Sequence, residues 1–177
     1  MGNKLLKFKK TASCIRSPHW AESCIGLPWS ATGEGPPRGE GEQDRRSNGS
    51  AKARATRSPD RETWSFHCWA FVCWVQERQF GRSLPAIANP EDLLAIARDF
   101  RDHQERKRWA RVEIPAEGDC VLMRQARYPI HVGVWLDVDG GGVLHCAQEA
   151  GVAFQSGTAL AANGWRIEGY YRFTGEN

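Results

Sequence analysis

His131-Val132-Gly133-Val134-Trp135-Leu136 and, past a turn of Gly140, Gly141 and Gly142, Val143-Leu144-His145-Cys146 are the stretch on which the fold turns. Side chains alternate along a strand, so Val132, Val134 and Leu136 face one side while His131, Gly133 and Trp135 face the other. Two such runs joined by a glycine-rich turn read as a β-hairpin. Counting across that turn sets His131 and His145 diagonal to one another, with the register left open by residues 137–142.

Strands fill the rest of the C-terminal half. Glu117-Gly118-Asp119 makes a turn into a strand at 120–123, and a last strand is expected over 165–173. Upstream the periodicity is helical. Residues 68–80 place Cys68, Phe71, Val72, Val75, Gln76 and Gln79 at helical spacing, closed by Gly81. Asn89-Pro90-Glu91-Asp92 combines a capping side chain, a first-turn proline and acids set against the helix dipole. It predicts a second helix to about Arg108, with Leu93, Leu94, Ile96, Ala97 and Phe100 inward. A short helix over 18–25, entered from Ser17 with Pro18 in its first turn, ends at Gly26. Helices first and an antiparallel sheet after them define an α+β fold.

The chain of 177 residues, 41% hydrophobic and 25% charged, suits one soluble domain with a real core. A basic arm is expected over 1–17, one domain over 18–36 and 64–173, and a tail at 174–177. The stretch 37–63 is almost free of large apolar side chains, cannot offset its ordering entropy by burial, and reads as a flexible polar insertion. The arm carries Lys4, Lys7, Lys9 and Lys10 but no apolar segment or cleavage site of a signal peptide, so cytoplasmic synthesis is expected. No apolar run approaches the ~20 residues that span a bilayer. A net charge of +3 is too mild for nucleic acid. The six cysteines form no Cys-x-x-Cys pair, which points to free thiols. Cys68, His131, His145 and Cys146 include ligand types that zinc accepts, but their spacing matches no zinc motif, and no feature requires a metal or organic cofactor.

Cys68 opens its helix, where unpaired backbone donors and the positive end of the dipole favour a thiolate. The alternative is a buried small residue. Cys73, Cys120, Cys146 and His103 lack comparable context and read as structural. His131 can serve as the base that takes the thiol proton, with His145 on the return strand holding its ring. Gly133 leaves room beside that imidazole for substrate or sulfur.

With these residues in place, the chain resembles the NlpC-type cell-wall cysteine peptidases, a papain-like family, and in particular its branch in phage tails and gene-transfer agents. The nucleophile block stands as Phe66-His67-Cys68-Trp69-Ala70, followed by Phe80-Gly81 and Leu84-Pro85 where that branch has a Gly and a Leu-Pro pair. His131-Val132-Gly133-Val134-Trp135-Leu136 is similar to the family's His-Val-Gly-Ile-Tyr block, and Leu144-His145-Cys146 to its third-residue strand. Gly118-Asp119 resembles the family's Gly-Asp turn, and Gly169-Tyr170-Tyr171-Arg172 the branch's closing strand. Trp20 and Ile25-Gly26-Leu27-Pro28-Trp29 look like the first helix and the loop before the nucleophile.

The resemblance implies N-terminal helices packed on a C-terminal sheet and a thiol peptidase acting on peptidoglycan stem peptides. Cys68 would be the nucleophile, His131 the base, His145 the orienting residue, and Trp29, His67, Trp69 and Gly133 would surround substrate or oxyanion. Phage tail proteins would be partners. There are three departures, and those at His67 and Trp29 leave a second reading open, a tail-assembly or adaptor protein with little or no hydrolysis. His67 replaces the family's usual Asp, Trp29 stands where many members have Tyr, and the insertion separates the Trp29 loop from the nucleophile, with room to displace or cover the cleft.

Overall fold

The computed structural model describes residues 18–33, 35, 64–87 and 104–175. Its main helix, α1 (Cys68–Phe80), leads into six strands: β1 (Trp109–Val112), β2 (Cys120–Gln125), β3 (Tyr128–Leu136), β4 (Gly142–Ala147), β5 (Gly151–Gln155) and β6 (Trp165–Phe173). They form one antiparallel sheet in the order β1-β6-β2-β3-β4-β5. A short helix, α2 (Gly157–Ala162), joins β5 to β6. The expected α+β arrangement, papain-like in its helix-then-sheet order, is what the chain adopts. Among the described residues no helix is long and apolar enough to cross a membrane.

Helix α1 has the expected bounds because both ends are marked. His67 caps the start through Nδ1, which accepts from the Ala70 N–H at 3.4 Å. At the other end Gly81 takes a left-handed φ of 66°, and the N–H groups of Gly81 and Arg82 return to the Glu77 and Gln76 carbonyls. The inward face differs from expectation at Gln79, which is exposed, while Cys73 is buried as its structural reading implies. The middle of the helix, residues 71–76, lies in the core, and its last turn emerges.

One face of the sheet packs Val132, Val134, Leu136, Leu144 and Cys146 against Phe71, Val72 and Val75 of α1. The opposite face gathers Val121, Met123, Val143 and Leu160 of α2, with Trp135, Trp165 and Ile167 against them. Ala21, Cys24 and Leu27 belong to the first core, so the segment before the insertion shares the domain's interior.

That segment returns to the nucleophile block. Trp29 and Phe66 form a parallel bridge, with the Phe66 N–H donating to Pro28 O and the Ser30 N–H to Phe66 O. The His67 N–H donates to Gly33 O at 3.1 Å. A Cβ on Gly33 would lie 2.5 Å from the Ser65 carbonyl carbon, so only glycine permits this approach. The Trp29 loop is therefore joined directly to the start of α1.

Several expectations are amended. The first helix is a 3-10 segment, Trp20–Cys24, capped by His19 rather than Ser17. Of the helix expected to reach Arg108, the described end, Gln104–Arg108, is a 3-10 segment that runs straight into β1. The rest of that helix, His103, the arm at 1–17 and the insertion at 37–63 lie outside the described residues.

Candidate active site

Cys68 is the first residue of α1, directly after the His67 cap. The β3–β4 ladder ends at the pair Gly133–His145, and beyond it the Val132 N–H bears on the Cys68 sulfur together with the N–H groups of Trp69 and Cys68. The thiol thus sits beside the His131–Val132 peptide. No hydrogen bond joins it to the His131 ring.

His131 and His145 come together as the hairpin count implied. Because His145 stands opposite Gly133, the two histidines are diagonal neighbours on one face, and His131 Nε2 shares a 2.9 Å hydrogen bond with His145 Nδ1. The Nε2–H of His145 donates to Gln155 Oε1 at 3.0 Å. Trp165 stacks on the His131 ring, centroids 4.6 Å apart and planes 27° from parallel. A hydrogen bond at Nε2 and an aromatic ring against its face leave His131 little rotational freedom.

A cleft of about 780 Å³ runs over these groups. Cys68, His67, His131 and His145 line it with Trp29, Trp165, Gln155 and Glu149. Two expected residues are not in its wall. Trp69 turns away, its indole N–H donating to Pro85 O at 2.9 Å. Gly133 opens no space for substrate: a Cβ there would lie 2.5 Å from Val143 Cγ1 and 2.9 Å from His145 Cβ. The missing side chain lets β4 close in, and His145 takes up the room.

The thiol's electrostatics reverse the expectation drawn from its position. The residue is half-buried in the cleft wall, and desolvation there pushes the Cys68 thiol up to about 11. The backbone N–H groups pull the other way and are outweighed. Burial lowers His131 to about 3, helped by the neighbouring His145 ring, and also lowers His145 against the pull of its Gln155 bond. The resting site at neutral pH is therefore an uncharged thiol beside two uncharged imidazoles. Cys146, on the α1 side of β4, donates its thiol proton to Phe66 O at 3.3 Å and is buried away from the histidines' face. Among the described residues no group of three or more His, Cys, Asp or Glu is placed to hold a metal ion.

A buried Gly-Asp turn braces this assembly. Gln76 of α1 donates to Gly118 O at 2.9 Å, and Asp119 accepts from Arg172 of β6 at 3.1 and 2.8 Å. The helix bearing Cys68 is so tied to the start of β2 and to the last strand. A helix-borne cysteine, two coupled strand histidines and this turn occur in one order along the chain. The model of the NlpC/P60 family matches residues 53–166, more than half of the chain. The chain belongs to the NlpC/P60 family.

Members of the NlpC/P60 family are generally cysteine peptidases or amidases, and membership points to cell-wall peptidase activity. Among curated proteins no significant match to the chain is found. The NlpC/P60 match begins after the Trp29 loop, which the structure nonetheless joins to the nucleophile block through the Trp29–Phe66 bridge. Three contributors to the site went unread in the sequence: Gln155, Trp165 and the Val132 N–H. A backbone donor carries no sequence signal, whereas continuing the hairpin count through β5 puts Gln155 on the face of His145.

Proposed function

We propose that this NlpC/P60 domain hydrolyses an amide bond in peptidoglycan stem peptides. The observation that carries the reading is the junction of Cys68, at the start of α1, with the hydrogen-bonded His131–His145 pair in one cleft. The Cys68 sulfur attacks the amide carbon as its proton passes to His131 Nδ1, the ring nitrogen not engaged by His145. The tetrahedral oxyanion takes hydrogen bonds from backbone N–H groups at the helix start. Collapse breaks the C–N bond, His131 protonates the departing amine, and water hydrolyses the thioester with the same imidazole as base. Trp29 and His67 contact the substrate from the cleft wall. The protein acts as a phage- or prophage-encoded tail component, made in the cytoplasm and delivered to the wall with tail proteins. That placement rests on the likeness of Phe80-Gly81, Leu84-Pro85 and Gly169-Tyr170-Tyr171-Arg172 to the tail branch.

The lack of a hydrogen bond between the Cys68 sulfur and the His131 ring favours a second reading, a tail adaptor with little hydrolysis. With the thiol at about 11 and His131 at about 3, no thiolate–imidazolium pair stands ready. Release of new amine termini from purified sacculi by the wild type and by Cys68→Ala separates the two, and mass analysis of the fragments names the bond. Cleavage by the wild type alone supports the peptidase; sacculi left intact by both support the adaptor.

A further inference from the structure

The hydrogen-bond chain behind the His131 ring ends on a group whose role is fixed by its chemistry. Gln155 closes β5, pairs across the ladder with Val143, and shares a face with His145. Its Oε1 stands 3.0 Å from His145 Nε2. A carbonyl oxygen only accepts, so the proton of the neutral His145 ring lies on Nε2 and its Nδ1 carries a lone pair. That lone pair faces His131 Nε2 at 2.9 Å, and two ring nitrogens at this distance need one proton between them. The proton must then belong to His131 Nε2. A neutral His131 protonated there has its lone pair on Nδ1, the nitrogen left for the thiol. Burial of both rings supports one proton on each, since it disfavours the charged forms.

We propose that Gln155 is a positioning residue that sets the tautomer of His145 and, through it, that of His131, leaving Nδ1 of His131 free to receive the Cys68 proton. Turned the other way, the Gln155 amide would place its NH₂ against His145 Nε2, shift the ring proton to Nδ1, and strand a proton on the His131 nitrogen that should be the base. Gln155 touches neither substrate nor sulfur in this role. The inference rests on the peptidase reading for its functional meaning, but its physical content does not depend on turnover.

The test is nitrogen-15 NMR of ring-labelled histidines at neutral pH, with signals assigned by substituting each histidine in turn, in the wild type, Gln155→Leu and Gln155→Glu. The wild type should show His145 and His131 both protonated at Nε2. Gln155→Leu should mix the tautomers of both rings and lower cleavage of sacculi by about tenfold, the low end of the loss on removing a direct partner of a functional histidine, since Gln155 stands two hydrogen bonds behind His131. Gln155→Glu keeps an acceptor in place and should restore both tautomers and most of the activity. A wild-type His145 protonated at Nδ1, or unchanged tautomers in Gln155→Leu, would overturn the proposal, and the first of these needs no variant to fold. A wild type with the expected tautomers that leaves sacculi intact supports the relay and counts against the peptidase reading.

Discussion

His145 lies opposite Gly133 rather than opposite His131, and that diagonal offset brings its Nδ1 within 2.9 Å of His131 Nε2. The offset needs a glycine, because a Cβ at position 133 would meet His145 Cβ at 2.9 Å and Val143 Cγ1 at 2.5 Å. Gly133→Ala should therefore destabilise the fold by about 1–3 kcal/mol, the usual cost of overpacking. It should lower activity beyond that, because the strand shift separates the two rings. Thermal unfolding and sacculus cleavage below the transition, measured together, check this. Full activity in a destabilised variant would contradict it.

Cys68 should label slowly. With its thiol pushed up to about 11, almost none is thiolate at neutral pH, and alkylation by iodoacetamide should accelerate about tenfold per pH unit up to that range. Slow labelling at pH 7 therefore does not mark an inactive protein here. Peptide mapping of the alkylated sites against pH is the measurement; a rate plateau at Cys68 below pH 8 would show that the helix start outweighs burial.

Stability should fall on both sides of neutrality. His131 is held at about 3 against an ordinary 6.5, and His145 is lowered too, so below pH 6.5 the unfolded chain binds protons that the folded chain refuses. Their contribution is complete above 6.5 and is lost as pH drops toward 3. Cys68 at about 11, and Cys120 and Cys146 at about 12, exceed their ordinary 9.0, so above pH 9.0 the unfolded thiols ionise first and stability falls again. Urea midpoints across pH should show a plateau between these limits. His131→Gln should flatten the fall between pH 6.5 and 5, above the carboxylate range; an identical slope in that variant would reject the assignment.

Trp165→Leu should leave the fold largely intact and reduce cleavage severalfold. The stack at 4.6 Å is worth about 0.5–1.5 kcal/mol beyond its buried area, and it limits the His131 ring to one plane. The order parameter of the His131 ring should drop in the variant as activity does.

The elements legible in the sequence were those with marked ends. Gly81 closes α1, and the apolar run of β6 from Trp165 to Phe173 stands out although a register shift near Glu168 moves Tyr171 and Phe173 to the face opposite Trp165 and Ile167, so both elements have the expected bounds. β1 has four residues behind an arginine-rich turn, and β5 has five beginning at a glycine, lengths at which periodicity carries little. Missing β5 hid Gln155. The Cys68 thiol was misjudged for a different reason: the helix start is a local feature visible in sequence, whereas the burial that outweighs it is made by β3 and β4 packing against α1. Gly133 was read as space for substrate because a sequence shows the missing side chain but not the strand that fills the gap.

The most direct test of the central claim, that Cys68 is the nucleophile served by His131, is the site of the covalent intermediate. The protein is mixed with a slow-turnover p-nitrophenyl ester, acid-quenched, and digested for mass mapping of the acyl group. The account predicts one thioester, on the peptide bearing Cys68, absent in Cys68→Ala and formed at least about a hundredfold more slowly in His131→Ala, as expected for loss of a general base. Acylation at another cysteine, or an unchanged rate in His131→Ala, would contradict it.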